Sequence, residues 1–306
     1  MADMPQGACD CHVHVIGPRS DYPMIDERHY TPGLAFHADM MAHLAGKGLQ
    51  RTVIVQPSVY GTDNRCMLES LDRMAGAGRG IAVVDNAADE AALRVLHARG
   101  VRGLRVNVES AGVRNAAAVG RALSQWAERI APLGWHLQVY ASLDTVAHAA
   151  PHLTKLPVPV VLDHFVMLPA TTQHDPRALV VLGLLRTGRV AVKLSAPYRM
   201  DAAGASDARL VDAWAARFVK TAPDQVLWGS DWPHTNREPG KKAHEVSRYH
   251  EMPTDMLIDA IHRCAHRRFA GAGASGQSDP ALRVLKGRHH QGTPYSDGID
   301  SLCYAA

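Results

Sequence analysis

Short runs rich in valine, isoleucine and leucine recur eight times along this chain, at 9–15, 51–57, 80–85, 103–108, 136–141, 158–164, 189–195 and 226–231. Runs of this length that are apolar on both faces suit strands covered on both sides of a parallel sheet. Their starts lie roughly 20 to 40 residues apart, the room a βα unit needs. The intervals carry helical spacing: Met40, Met41 and Leu44 within 39–49, Met67, Leu68, Leu71 and Met74 within 64–77, and Leu93 and Leu96 within 89–99. The segments 116–130 and 207–221 have the same pattern, while Pro32-Gly33 and Gly112 punctuate loops. Strand and helix alternating eight times predict an α/β chain folded as a (β/α)8 TIM barrel. An open doubly wound sheet is the alternative. It needs a glycine-rich turn after the first strand, where this chain has His12, Val13 and His14.

The 306 residues suit one such barrel. Lysines and arginines are interspersed with acids and the net charge is only +3, so no nucleic-acid partner is expected. No apolar run reaches membrane-spanning length, so no membrane partner is expected either. The first seven residues lack the basic-then-apolar order of a signal peptide, which points to a cytoplasmic protein. The five cysteines (Cys9, Cys11, Cys66, Cys264 and Cys303) are an odd number in a chain of this size, so no disulfide framework is expected.

Strand parity sorts the polar residues. Residues two apart on a strand share a face, so Asp10, His12 and His14 are expected to point into the barrel and Cys9, Cys11, Val13 and Val15 toward the helices. The same test gives Gln56 and Ser58 on the second strand, Arg105 and Asn107 on the fourth, and Gln138 and Tyr140 on the fifth. The sixth ends in His164, the seventh offers Lys193 and Ser195, and the eighth ends in Asp231. Each set lies toward the C-terminal end of its strand, where barrels of this type place their active sites. One buried polar residue is ordinarily a satisfied core group; seven strands sending polar groups to one end are better explained by a site.

His-x-His sets two imidazoles side by side, able to hold a metal with Asp231 in an incomplete shell suited to catalytic zinc. A competing set, Cys9 and Cys11 with His12, is disfavoured by the same parity. Asp231 is the candidate general base, and His164 the candidate group to polarise a carbonyl. Arg105 and Arg199 are candidate clamps for a carboxylate. Tyr140, Ser58, Asn107 and Gln56 complete the expected substrate-binding set.

Three stretches carry a resemblance: Cys9-Asp-Cys-His-Val-His-Val15, Val161-Leu-Asp-His164 and Leu227-Trp-Gly-Ser-Asp-Trp-Pro-His234. With them the chain resembles the amidohydrolase-related TIM barrels from about residue 7 to 263. The segments 55–65 and 193–198 are similar to the subgroup of pyrone-dicarboxylate lactonases, sulfomuconolactone hydrolases and galactarolactone isomerases. The resemblance implies a hydrolase that opens a small carboxylated lactone by attack of an activated water, the anionic lactone being its partner. Arg105, Tyr140 and Arg199 match the subgroup's substrate residues, but Ala111 and Met167 stand where the pyrone lactonases have arginines, implying a substrate with fewer anionic groups. It also implies no metal, or one divalent ion, zinc by ligand type, on His12, His14 and Asp231. A lactone isomerase using the same residues, a decarboxylase and a non-catalytic anion-binding barrel are the alternative readings. A homo-oligomer is compatible with all of them.

The family's closing Asn-Pro-x-Arg-x-Tyr-Gly-Phe signature is absent from this frame. Codons for 277–285 can be chosen that encode it after a one-base shift. The expectation is a frameshift near Cys264, leaving 264–306 as a non-native, disordered tail.

Overall fold

A computed structural model describes residues 7–108, 116–169, 175–200 and 208–252 of the chain. All eight expected strands are present: β1 Cys9–Val13, β2 Arg51–Val55, β3 Gly78–Ala82, β4 Val101–Asn107, β5 His136–Tyr140, β6 Val160–Leu162, β7 Val190–Leu194 and β8 Val226–Trp228. They pair in chain order and every pair is parallel. Just past the ends of β1 and β8 the ring is closed by two backbone bonds, His14 N to Trp232 O at 2.8 Å and Asp231 N to His12 O at 2.9 Å. The family of helices α1 His37–Gly46, α2 Arg65–Arg73, α3 Glu90–Ala98, α4 Ala116–Ile130, α5 Leu143–Leu153, α6 Pro176–Arg186 and α7 Ala208–Thr221 follows the first seven strands in turn. The eight-fold barrel expected from the alternation is therefore the fold. The expected tail, with Cys264 and Cys303, lies outside the described residues, as does Ala111.

Helices α5 and α6 escaped the periodicity test for physical reasons. Pro151 interrupts the pattern of α5, and α6 mixes buried Val181, Leu182, Leu184 and Leu185 with Leu179 and Val180 on its exposed side. Both starts are capped. Ser142 accepts a bond from Thr145 N, and Asp175 one from Arg177 N with Pro176 at the first helical position.

Two apolar shells hold the barrel. The outer one joins strands to helices and buries Trp135, Trp214, Trp228 and Phe218, each worth roughly 1.5–3 kcal/mol in area removed from water. The inner one contains no helix residue: Cys9, Cys11, Val53, Val55, Ile81, Val161, Ala191 and Leu227 meet inside the ring. This corrects the expected parity of β1. Asp10 pairs with Thr52 but Val13 with Ile54, so β1 spends three residues where β2 spends two. That β-bulge lets Cys9 and Cys11 face inward below the histidines and turns Asp10 outward, where it meets His43 of α1 at 3.3 Å. No third ligand joins the cysteines: among the described residues the one candidate metal cluster lies elsewhere.

Close approach demands glycine at two points. A Cβ on Gly229 would lie 2.7 Å from the Cβ of His12 and 2.9 Å from its N, across the closing seam. A Cβ on Gly103 would lie 2.5 Å from the His136 ring, which fills the barrel across from it. No helix among the described residues is long and apolar enough to cross a membrane.

Candidate active site

Strands β6 and β8 end earlier than expected, and the residues that follow carry the site. His164, Phe165, Val166 and Met167 all have φ between 47° and 59°, a left-handed turn built without glycine. Asp231 has φ 61°. Side chains pay a steric cost in that region, and here it aims His164 and Asp231 at the mouth of the barrel, where both are buried.

Three imidazoles converge on one carboxylate oxygen. The Nε2 atoms of His12, His14 and His164 lie 3.3, 3.5 and 3.8 Å from Asp231 Oδ1. His14 Nδ1 is 2.7 Å from the carbonyl oxygen of Val55. A carbonyl only accepts, so Nδ1 carries the proton, and a neutral His14 turns a lone pair toward Asp231. His12 Nε2 and Asp231 Oδ1 are both buried without a hydrogen bond. A cluster of lone pairs around one oxygen has a place for a cation, either a proton or a metal ion. His12, His164 and Asp231 are the set whose ligand atoms all lie within 4.8 Å of one another. His2Asp is a donor set suited to zinc, so the residues fit one divalent ion. The sequence-based set named His14 in place of His164; tertiary structure brings His164 into reach and leaves His14 beside them.

The other carboxylate oxygen is held differently. Tyr198 donates its hydroxyl to Asp231 Oδ2, and Arg199 lies 3.8 Å from the same oxygen. Burial pushes the Asp231 carboxyl up, but the electrostatic pull of His164, His12 and Arg199 outweighs it and holds it well below the usual carboxylate range. Burial, reinforced by the Asp231 charge, pushes the Tyr198 phenol well up, so it remains a donor. Burial also pushes His164 well down, and pushes His12 down to about 3 with the help of Lys193.

Beneath this layer runs a buried polar floor. Lys193 Nζ donates to Gln138 Oε1 at 2.7 Å, and Gln138 Nε2 donates to Asp163 Oδ2 at 3.0 Å. Asp163 Oδ1 is 3.4 Å from His12 Nδ1, and Arg105 Nε is 3.6 Å from Oδ2. Burial opposes the Asp163 charge, but His12 and Lys193 overcome it and keep the carboxyl well below its ordinary range. His164 Nδ1 sits 2.9 Å from Ser195 Oγ. A hydroxyl can donate there, which leaves His164 Nε2 able to carry a proton.

Above lies a pocket of about 400 Å³, a size suited to a small molecule. Of the expected substrate residues, Arg105, Arg199, Tyr140, Ser58 and Asn107 line it, and His14 forms part of its base. Tyr140 stands between the two guanidiniums, 5.4 Å from Arg105 and 5.7 Å from Arg199. Gln56 is a correction. Its side chain donates to the carbonyls of Gly61 and Asp63, tying down the loop after β2, and it does not line the pocket. Sequence reasoning missed Asp163 as part of the site, and missed the loop residues His29, Thr235, Asn236 and Arg237 of the pocket wall; it had set Lys193 on the inward face of its strand without a role, and counted Tyr30 and Tyr198 among loop tyrosines able to shape the pocket. Asp163 and Lys193 left a trace, as charged residues within otherwise apolar strand segments. The missed wall residues left none.

Comparison with known proteins gives the chain a family. The chain matches the family described as Amidohydrolase across residues 9–249. It is 35% identical over 272 residues to a 2-pyrone-4,6-dicarboxylate hydrolase of Comamonas testosteroni, covering 86% of this chain and 85% of that one. It is 30% identical over 237 residues to a 4-sulfomuconolactone hydrolase of Hydrogenophaga intermedia, covering 76% of each. The crystal structure of an Agrobacterium tumefaciens protein in apo form shares the fold with a TM-score of 0.73 at 19% identity, covering 93% of this chain and 94% of that one. With the match running from the first barrel strand to beyond the last, this chain belongs to the amidohydrolase family.

Proposed function

We propose that the protein hydrolyses a small lactone bearing a carboxylate. The observation that carries this reading is the convergence of three imidazoles on Asp231 Oδ1 directly beneath a pocket walled by Arg105 and Arg199. The lactonase and sulfomuconolactone hydrolase relatives support it. The guanidiniums take the carboxylate, and Tyr140 between them fixes their spacing. The lactone carbonyl then lies over the histidines. Ionised Asp231 accepts a proton from water as the water oxygen bonds to the carbonyl carbon. His164, with Ser195 donating to its Nδ1, offers Nε2–H to the oxygen that gains charge. Cleavage of the ring C–O bond follows, and the proton held on Asp231 passes to the departing ring oxygen. The new carboxylic acid then ionises, so the products are one carboxylate, one hydroxyl (or its keto form) and one proton released to solvent.

A divalent ion held by His12, His164 and Asp231 would supply a more acidic water. The test is proton release from a panel of carboxylated lactones, measured with and without exhaustive chelation. Acid release that disappears in Asp231→Asn supports hydrolysis. A rearranged lactone by NMR without acid release would replace hydrolysis with isomerisation.

A further inference from the structure

Asp10 belongs to the motif that opens the first strand, yet it takes no part in the chemistry above. Its side chain is completely buried on the outer side of the barrel wall. Oδ1 accepts two backbone bonds, from His12 N at 3.1 Å and from Ser230 N at 2.9 Å. Oδ2 faces His43 Nε2 of α1 at 3.3 Å. One carboxylate oxygen therefore ties the backbone of His12 to the backbone immediately before Asp231. These are the two residues whose side chains meet at 3.3 Å on the other side of the wall.

We propose that Asp10 is a positioning residue that sets the His12–Asp231 separation through their backbones, with His43 holding Asp10 in turn. The inference rests on the role proposed for Asp231 as the base, with His12 as its nearest imidazole. Three observations carry it. The seam is already closed by His14 N to Trp232 O and Asp231 N to His12 O, so closure does not require Asp10. The two N–H groups Asp10 takes are the ones loosened locally: His12 lies within the bulge in β1, and Ser230 precedes a left-handed Asp231. A buried carboxylate is costly unless it is well bonded, and bonds from backbone N–H to a carboxylate are short and directional. An apolar residue at this place would be the cheaper wall.

Steady-state kinetics on a turned-over lactone tests it, using Asp10→Ala, Asp10→Asn and His43→Ala. Asp10→Ala is expected to lower kcat about 100-fold, the cost of a misplacement of about 1 Å, with KM changed less than about threefold. Asp10→Asn keeps an acceptor at the same place and is expected to restore kcat to within about fivefold of wild type. His43→Ala leaves the carboxylate but removes its outer restraint, for a loss of about tenfold. A folded Asp10→Ala with wild-type kcat overturns the proposal, as does Asp10→Asn no better than Asp10→Ala. If Asp10→Ala does not fold, wild-type kcat in His43→Ala overturns it instead. A wild-type protein inert on every lactone would end the functional reading alone. The positioning claim would then be read from the histidine side-chain NMR spectrum. Asp10→Asn should leave the His12 ring resonances near wild type and His43→Ala should shift them, with His136 unmoved in both. Unmoved His12 resonances in His43→Ala would overturn it.

Discussion

Tyr198 donates its hydroxyl to Asp231 Oδ2, leaving Oδ1 to the three imidazoles. The two carboxylate oxygens thus have separate duties, one anchored and one facing the reacting atoms. Tyr198→Phe removes a bond to a charged group, an interaction worth roughly 1.5–3 kcal/mol. If the bond orients the base in the transition state, kcat should fall about 10- to 100-fold with KM little changed. Unaltered kcat would show that the strained backbone alone holds Asp231.

Asp231→Asn keeps the shape and loses the base. Turnover should fall by about four orders of magnitude, while the thermal midpoint falls, because Arg199 and the imidazoles lose the buried charge that offsets them. Residual turnover close to wild type would place the base elsewhere.

Among the described residues one cluster has metal-ligand spacing. Zinc titration followed by elemental analysis should therefore show one ion whose uptake is weakened in His164→Ala. Zinc uptake identical in wild type and His164→Ala would show that this cluster holds no ion.

Arg199 donates to Tyr140 Oη at 3.4 Å and to Thr235 O at 3.3 Å while facing the pocket. A lysine cannot repeat that planar fork. Arg199→Lys and Arg105→Lys should each raise KM about tenfold or more for a carboxylated lactone. A neutral ester analogue should be affected far less. Equal effects on both substrates would argue against carboxylate recognition.

Acid stability follows from His136, which fills the barrel interior. Burial, then the Lys193 charge, lowers its pKa from 6.5 to about 3. The folded state keeps the ring neutral between these values while the unfolded state protonates it. Stability is therefore fully present above about pH 6.5 and declines as pH falls toward 3, by up to about 1.4 kcal/mol per pH unit from this residue. Denaturant unfolding of His136→Leu between pH 4.5 and 7 should show a shallower dependence on pH than wild type. An unchanged slope would mean that His136 is protonated in the folded state.

Much of this protein was legible in its sequence. The eight apolar runs dictated a parallel barrel because strands covered on both faces cannot alternate. His12, His14, His164 and Asp231 stood out because polar groups at strand ends have nowhere to go but the mouth. Arg105 was readable for the same reason, and Arg199 as a guanidinium just past the seventh strand that could clamp a carboxylate. What tertiary structure alone decided lies where local geometry breaks its own period. One extra residue in β1 reverses the faces of Asp10, Cys9 and Cys11, and a bulge depends on the partner strand's register rather than on β1's composition. Left-handed turns at His164 and Asp231 are conformations that their side chains disfavour, imposed by packing around them. Gln56 turned to its own loop, and Tyr198 turned to Asp231, because hydrogen-bond partners are settled by distance in space. The sequence determined which groups reach the mouth of the barrel; the closing of the ring determined which of them touch.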